Sequence, residues 1–145
     1  MALTWDDGPW VADSSAWARA HDPAVAPKWK AAATAAEIIG CPVITLELLY
    51  DAPDRKRVEA VAAVVAGLQQ APITRSVTDS AIRAVQDLAA HGAAGAHRVP
   101  IPDALTAAAA AQRGFAVLHY DHHFDKLATV LNFTSQWIAE PGSMP

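Results

Sequence analysis

Carboxylates recur at the ends of short apolar runs in this 145-residue sequence. Three of them follow such runs and a fourth opens an alanine-rich segment: Asp13, Glu47 and Asp121, and then Asp103. If the runs are neighbouring parallel strands, the four side chains gather at one edge of the sheet, where open α/β sheets bind their ligands. Mutual repulsion among carboxylates costs free energy, and a hard divalent cation such as Mg²⁺ or Mn²⁺ removes that cost. Such a site can activate water for attack on a phosphodiester.

Each acid also has an ordinary structural interpretation. Asp13 and Asp121 are placed to cap a following helix, and Asp103 is placed to favour the positive end of a helix. Glu47 lies among leucines, a pattern that also fits the solvent face of a helix. The repetition of acids at successive strand ends, rather than any single acid, is what favours a shared site.

The elements that must position these acids alternate between short strand patterns and longer helical ones. We predict strands at 10–12, 42–44, 115–118 and 135–138, and helical segments at 14–18, 27–39, 45–49, 53–68, 76–91, 102–113 and 124–130. This alternation implies a mostly parallel central sheet covered on both faces, a three-layer α/β/α fold. We expect Val64 and Ile82 to face inward from their helices.

No repeat or linker divides the chain, so we expect a single domain over 1–145. Within it, residues 1–9 read as an N-terminal extension of unassigned role and residues 139–145 as a tail that frays. The single cysteine, Cys41, cannot form an internal disulfide. With 52% hydrophobic and 18% charged residues, the composition is that of a globular protein.

The sequence also bounds location and partners. It shows no basic secretory start and no apolar run of about 20 residues, so we expect a soluble cytoplasmic protein with no membrane association. The formal net charge of −4 argues mildly against a nucleic-acid binder. That objection weakens if the acids converge on a metal ion, because a bound cation reverses the local charge.

Four short motifs occur in a set order along the chain: VADSS at 11–15, TLEL at 45–48, PD at 102–103 and HYDHHFD at 119–125. In this order and spacing they resemble the PIN-domain ribonucleases, specifically the VapC toxins of bacterial toxin–antitoxin pairs. The resemblance implies a Rossmann-like PIN fold and an endoribonuclease that requires Mg²⁺ or Mn²⁺. It also implies that Asp13, Glu47, Asp103 and Asp121 form the catalytic, metal-binding quartet.

The resemblance further implies supporting residues and partners. Ser14 or Ser15 would support the quartet through a hydroxyl, and Thr45 would orient Glu47. The implied partners are a cognate VapB-like antitoxin, whose C-terminal segment wraps the toxin and reaches the active site, and a structured RNA such as transfer or ribosomal RNA. A homodimer is implied as well.

The mechanism that these residues favour is hydrolysis by in-line attack on phosphorus without a covalent intermediate. We expect Asp13, Asp103 and Asp121 to hold one ion directly. Glu47 then either holds a second ion or positions the attacking water.

The last motif departs from the family pattern. Many relatives carry a second acid two residues beyond the strand-end aspartate, and His123 stands there in this chain. The next acid, Asp125, would serve through a water or only cap a helix, so the motif fits either one or two metal ions. His119 is predicted to lie near the site as a donor to it. Zinc binding by the histidines of this motif is disfavoured, because adjacent His122 and His123 should point to different sides.

Two other functions compete with the nuclease. A non-catalytic PIN-like binding module would keep the fold and act through protein partners, and His123 is its main support. A phosphoacceptor receiver domain also clusters acids at strand ends, but it needs an acidic pair at the first strand, where Asp13 stands alone. The basic run 55–57 fits either a solvated helix face or an RNA-phosphate contact. The tryptophans at 17, 29 and 137 are expected in the core or at a dimer interface.

Overall fold

A four-stranded parallel sheet organises the protein, whose computed structural model describes residues 3–145. The strands are β1 (Trp10–Ala12), β2 (Ile38–Ile39), β3 (Ala116–His119) and β4 (Ser135–Trp137), in the spatial order β2, β1, β3, β4. Within the described residues the helices are α1 (Ser14–Trp17), α2 (Ala26–Thr34), α3 (Pro42–Asp51), α4 (Arg55–Ala66), α5 (Arg75–His91), α6 (Ile101–Arg113) and α7 (His123–Leu127). None of these helices combines the length and the apolar character that crossing a membrane requires.

Two apolar clusters, one on each face of the sheet, give the molecule three layers. Side chains alternate between the faces along a strand, so neighbouring positions of β1 and β3 enter different clusters. Val11 and Val117 pack with α3, α5, α6 and α7 on one face. Ala12 and Leu118 pack with α1 and α2 on the other. The predicted α/β/α fold with a parallel central sheet is confirmed.

The second strand lies earlier in the chain than its pattern predicts. Helix α2 ends at Thr34, and Ala36 adopts a left-handed φ of 58° that turns the chain into Ile38–Ile39. The residues predicted as a strand at 42–44 form the first turn of α3, where Pro42 occupies a position that tolerates proline. Both the longer helix and the strand predicted in this region are therefore wrong.

The later helices begin and end close to their predicted positions. Gly114, with a φ of 71°, ends α6 in the left-handed conformation that favours glycine. Val64 and Ile82 are 56% and 53% exposed, so their predicted inward orientation is wrong. Only a narrow line of residues on α4 and α5 reaches the core, because these helices cover the sheet from outside α3 and α6 and turn their remaining sides to solvent.

Both terminal segments pack onto the sheet. The indole N–H of Trp5 donates to the carbonyl of Ile138 at 3.0 Å, and its ring meets Trp10 edge to face. At the other end, the main-chain N–H of Met144 donates to the Tyr120 hydroxyl at 2.8 Å. Residues 139–145 thus contact the segment that follows β3, and their fraying stays a prediction.

Candidate active site

The structure brings the four predicted acids to one edge of the sheet. The register pairs Ala12 with Leu118, so β1 and β3 end side by side and deliver Asp13 and Asp121 to the same place. Asp103 enters from the first turn of α6. The charges of Asp13 and Asp121 act on Asp103, so the N-terminal end of α6 lies near that edge.

Glu47 reaches the cluster by a different route from the one predicted. It does not follow a strand but lies in the middle of α3, which contacts both α1 and α6. The hydroxyl of Ser14 makes a long hydrogen bond of 3.5 Å to Glu47 Oε1. The predicted position of this acid in the site is therefore consistent with the structure, while its predicted strand-end placement is wrong.

Asp13 is both a helix cap and a member of the cluster. Its Oδ2 accepts from the main-chain N–H of Ser15 at 3.1 Å and from the Ser15 hydroxyl. That hydroxyl in turn accepts the main-chain N–H of Tyr120 at 2.9 Å, which ties the ends of β1 and β3 together. Asp13 Oδ1 is buried and meets no hydrogen-bond donor among residues 3–145. Hydrogen bonds to Oδ2 thus hold the carboxylate in place and leave Oδ1 without a donor among the described residues.

Burial and mutual repulsion raise the pKa values of three acids in the cluster. Burial, together with the charges of Asp13, Asp121 and Glu47, raises the pKa of Asp103 to about 8. Burial is also the main cause that raises the pKa of Asp13, with the charge of Asp121 adding to it. The pKa of Glu47 rises for the same two reasons, burial and the charge of Asp13. Without a positive counter-charge, burial and mutual repulsion make the charged forms of these three carboxylates less favourable than those of isolated groups.

This donor set fits a hard divalent cation. The four side chains offer only oxygen atoms, which Mg²⁺ and Mn²⁺ prefer. The buried, unpartnered Oδ1 of Asp13 is the observation that favours a ligand here, because a buried polar atom without a partner costs about 1–3 kcal/mol. A cation among these oxygens would satisfy that atom and offset the repulsion.

His119 holds the main chain that carries Asp121. The main-chain N–H of Asp121 donates to His119 Nδ1 at 3.0 Å, so the ring proton is assigned to Nε2, which donates to Ser135 Oγ at 2.7 Å. The ring is fully buried. His119 lies near the site, as predicted, but not as a donor to it: its Nδ1 accepts a hydrogen bond from the main-chain N–H of Asp121, and its Nε2 points to β4.

Asp125 completes this chain of hydrogen bonds away from the four acids. Its two oxygens accept from Ser135 Oγ at 2.7 Å and from the indole N–H of Trp137 at 3.0 Å. The carboxylate therefore stabilises β4 and, through Ser135, the ring of His119. Both oxygens thus accept from β4 rather than from the main-chain N–H groups of α7, and a role at the metal through a water stays a prediction.

The pH dependence of stability should expose the role of His119. Burial lowers the pKa of His119 to about 4 from an ordinary 6.5. Between these pH values the ring is protonated in the unfolded chain but neutral in the folded protein. Stability from this residue is present above pH 6.5 and lost as the pH falls toward 4, at up to about 1.4 kcal/mol per pH unit. Between pH 7 and 4.5, wild type should lose roughly 2 kcal/mol more than His119→Gln in urea unfolding. Parallel losses in the two proteins would contradict this assignment.

Thr45 does not take the orienting role that the resemblance implies. It lies two residues before Glu47 on α3, and a helix with 3.6 residues per turn separates such side chains by about 200°. Among residues 3–145 the Thr45 hydroxyl makes no hydrogen bond to Glu47, whereas Ser14 does. The serine on α1, rather than the threonine, is the neighbour that contacts this acid.

His122 and His123, which were predicted to point to different sides, lie together beside Asp121. His122 Nδ1 is 3.5 Å from Asp121 Oδ1, and His123 Nε2 is 3.8 Å from the same oxygen. Their ring centroids are 4.3 Å apart. The expectation that adjacent side chains diverge fails here, because His122 ends the turn after β3, His123 begins α7, and both rings lie beside Asp121 Oδ1. No spacing rule in the sequence signals this geometry.

An apolar groove opens beside the acids. It encloses about 590 Å³ between α1 and α2 on one side and α3 and α4 on the other, and Ser14 lies in its wall. Trp17 and Trp29 line it and contact each other edge to face, with their ring centroids 4.8 Å apart. Arg57 lies in its wall. The basic run 55–57 is exposed, and Arg55 pairs with Glu59 at 2.9 Å. These tryptophans border a concave surface.

The sequence matches the PIN domain family over residues 11–130, and the chain belongs to that family. Within it, two relatives from Mycobacterium tuberculosis are ribonuclease VapC18 and ribonuclease VapC51. They are 36% and 30% identical to this chain over 133 and 135 residues, which is 91% and 93% of this chain and 96% of each relative. By this likeness the chain is a VapC-type PIN domain.

Two solved structures share the fold. A DNA-bound VapBC from Salmonella typhimurium matches with a TM-score of 0.67 and 16% identity, over 90% of this chain and 98% of that one. VapBC2 from Rickettsia felis, bound to a promoter DNA fragment, matches with a TM-score of 0.68 and 12% identity, over 88% and 97% of the two chains. At these identities the likeness is one of fold.

Proposed function

We propose that this chain is a Mg²⁺- or Mn²⁺-dependent endoribonuclease, the toxin of a VapBC-type pair, and that it hydrolyses structured RNA such as transfer or ribosomal RNA. The observation that carries the proposal is the convergence of four acids on one edge of the sheet, with a buried Asp13 oxygen left unpartnered. The ribonuclease names of its relatives support the reaction type. We further propose that residues 1–145 act as one PIN domain in the cytoplasm.

Asp13, Asp103 and Asp121 would hold the ion. When bound, a divalent cation supplies a Lewis acid that neutralises charge on a phosphodiester and lowers the pKa of water. Ser15 keeps the Asp13 carboxylate in position through two hydrogen bonds to Oδ2. His119 keeps Asp121 in position by accepting a hydrogen bond from the main-chain N–H of Asp121. These contacts fix the metal-binding side chains before substrate binds, so the side chains do not have to reorganise during the reaction.

Glu47 is the residue that we assign to the attacking water. It is half-buried, and its pKa is raised by burial and by the charge of Asp13. A carboxylate with a raised pKa is a better general base near neutral pH than an ordinary one. In the proposed step, a carboxylate oxygen of Glu47 accepts a proton from water as that water attacks phosphorus in line with the leaving oxygen.

The groove is the surface that we assign to a VapB-like antitoxin. Its walls carry Trp17 and Trp29, and Val64 at its edge is 56% exposed. An amphipathic helix buries its apolar face in a groove of this kind. Because Ser14 belongs to both the groove and the acid cluster, a segment lying in the groove would reach the active site. We assign Leu46 and Tyr50, exposed on α3, to contact with a second copy of the chain.

RNA digestion with and without metal tests the proposed function. Purified protein should cleave transfer or ribosomal RNA in Mg²⁺ or Mn²⁺, and EDTA should stop cleavage by removing the ion that the acids hold. Restoring excess Mg²⁺ should restore cleavage, which excludes damage to the protein by the chelator. Mapping of new RNA 5′ ends would locate the cut.

Two results would contradict the nuclease. Undiminished cleavage in EDTA would remove the metal from the mechanism. Absence of cleavage from a folded protein that still binds its antitoxin, on any structured RNA supplied, would instead favour the non-catalytic binding module.

A further inference from the structure

We propose that Asp121, His122 and His123 form a transition-metal site for Zn²⁺, distinct from the all-oxygen cluster and joined to it through Asp121. The three residues each offer one ligand atom, and these atoms all lie within 4.8 Å of one another. The inference goes beyond the proposed nuclease, because it concerns a second kind of cation and does not require RNA cleavage.

The spacing of the three atoms suits one ion. Asp121 Oδ1 is 3.5 Å from His122 Nδ1 and 3.8 Å from His123 Nε2. Ligands about 2.1 Å from a tetrahedral zinc ion lie about 3.4 Å apart. The observed separations therefore need only small side-chain movements to close around a cation.

The local backbone holds the carboxylate toward the rings. Asp121 Oδ1, the oxygen that both histidines face, also accepts the main-chain N–H of His123 at 3.1 Å. The main-chain N–H of Asp121 is itself held by His119. Two hydrogen bonds thus restrict the loop from which the oxygen ligand projects.

Access to the cluster is open on one side. The His122 side chain is 66% exposed, whereas that of His123 is 23% exposed. His123 Nδ1 is buried and without a hydrogen-bond partner among residues 3–145, so Nε2 is the ring nitrogen that a ligand can reach. That nitrogen is the one that faces Asp121. A cation can enter from solvent at His122 and keep an outward position for water.

The donor types decide which cation is taken. Two imidazole nitrogens and one carboxylate oxygen are the ligand set of many zinc sites with an open fourth position. Imidazole suits zinc and its transition-metal neighbours, whereas carboxylate and water suit Mg²⁺. The edge of the sheet therefore carries two neighbouring sites with opposite preferences, one of oxygen alone and one with two nitrogens.

Histidine nitrogen shifts in NMR and a Zn²⁺ dissociation constant, measured against a chromophoric chelator, test the site. Zn²⁺ should shift His122 Nδ1 and His123 Nε2, and Mg²⁺ should shift neither. Replacing both histidines (His122→Ala with His123→Ala) should weaken Zn²⁺ binding by at least about 100-fold, because two of three ligands are lost. The single variant His122→Ala, at an exposed position that tolerates truncation, should weaken it by about 10-fold.

Two controls separate this site from the acid cluster and from ordinary surface histidines. Replacing the exposed His91 and His97 with alanine should leave the Zn²⁺ affinity unchanged. Asp103→Asn, which disrupts the all-oxygen cluster, should keep it within about threefold. Zn²⁺ binding that survives loss of both His122 and His123, or that disappears in Asp103→Asn, would overturn the proposal. Neither result would bear on the nuclease assignment, which RNA digestion with and without EDTA tests separately.

Discussion

Asp103→Asn should abolish RNA cleavage and at the same time stabilise the metal-free protein. Loss of one ligand removes a large part of the several kcal/mol that a metal ion contributes to the transition state, so cleavage should fall by more than about a thousandfold. The stability should move the other way, because the pKa of Asp103 is raised to about 8. A residue that improves the fold when it is neutralised, yet is needed for activity, marks a functional site.

The gain in stability should depend on pH in a defined sense. The folded protein keeps a proton on Asp103 up to about pH 8, while the unfolded chain releases it near pH 4. The contribution of Asp103 to the stability of the metal-free wild type should therefore fall as the pH rises from 4 to 8, opposite in sign to the contribution of His119. Asp103→Asn removes this contribution, so its gain in stability over the wild type should be larger at pH 8 than at pH 5, by at most about 1.4 kcal/mol per pH unit.

An exposed aspartate supplies the control for this variant. Asp79 lies on α5 with its side chain in solvent, and Asp79→Asn should change neither cleavage nor unfolding. Thermal or urea unfolding in EDTA at the two pH values, beside an RNA cleavage assay in Mg²⁺, gives both readouts. An Asp103→Asn protein that cleaves RNA as wild type does, or that is equally destabilised at both pH values, would contradict the account.

Asp13→Asn should reduce cleavage as severely while leaving the fold intact. Asparagine caps a helix about as well as aspartate, so its carbonyl oxygen can still accept the N–H of Ser15. The buried oxygen that now lacks a protein donor, Asp13 Oδ1, becomes an amide nitrogen that cannot bind a cation. Cleavage should therefore fall by more than about a thousandfold.

Asp54 offers a matched control, since it caps α4 with the same chemistry. Its side chain accepts the main-chain N–H of Arg57 at 2.8 Å, but it is exposed and is not among the charges that raise the pKa of Asp103. Asp54→Asn should leave cleavage and stability unchanged. If Asp13→Asn behaved like Asp54→Asn, Asp13 would be only a helix cap and the proposed site would lose its central member.

The sequence predicts the fold class and three of the four acids because these depend on local patterns, whereas Glu47 is identified from a predicted strand at 42–44 that is the first turn of α3. Apolar runs that end in an acid identify Asp13 and Asp121, and a proline–aspartate helix start identifies Asp103. Parallel strands then bring these ends together. The roles of the acids in catalysis and metal binding stay predictions, since geometry alone does not test them.

The position of β2 could not be predicted, because the turn before it uses an unusual residue. Ala36 sits in the left-handed position where glycine normally ends a helix, and Glu37 donates its main-chain N–H to the carbonyl of Ala32 at 2.9 Å. Alanine there costs about 1–2 kcal/mol and carries no helix-stop signal. The apolar spacing of Ala32 and Ile39 therefore looked like one continuous helix.

The surroundings of the acids depend on contacts between distant segments. The hydroxyl of Ser135 joins His119 to Asp125, and its partners are 16 and 10 residues away in sequence. Side-chain directions in a short turn likewise decide that His122 and His123 face the same oxygen. Neither arrangement has a period or a spacing, so residue patterns do not reveal it.

Calorimetric titration of the metal-free protein with Mg²⁺ or Mn²⁺ tests the central claim most directly, because the claim concerns what the four carboxylates hold. Wild type should bind the ion saturably, and both Asp13→Asn and Asp103→Asn should lose that binding while remaining folded. Wild-type affinity in either variant, or no binding by a folded wild type, would show that these carboxylates do not form the metal centre.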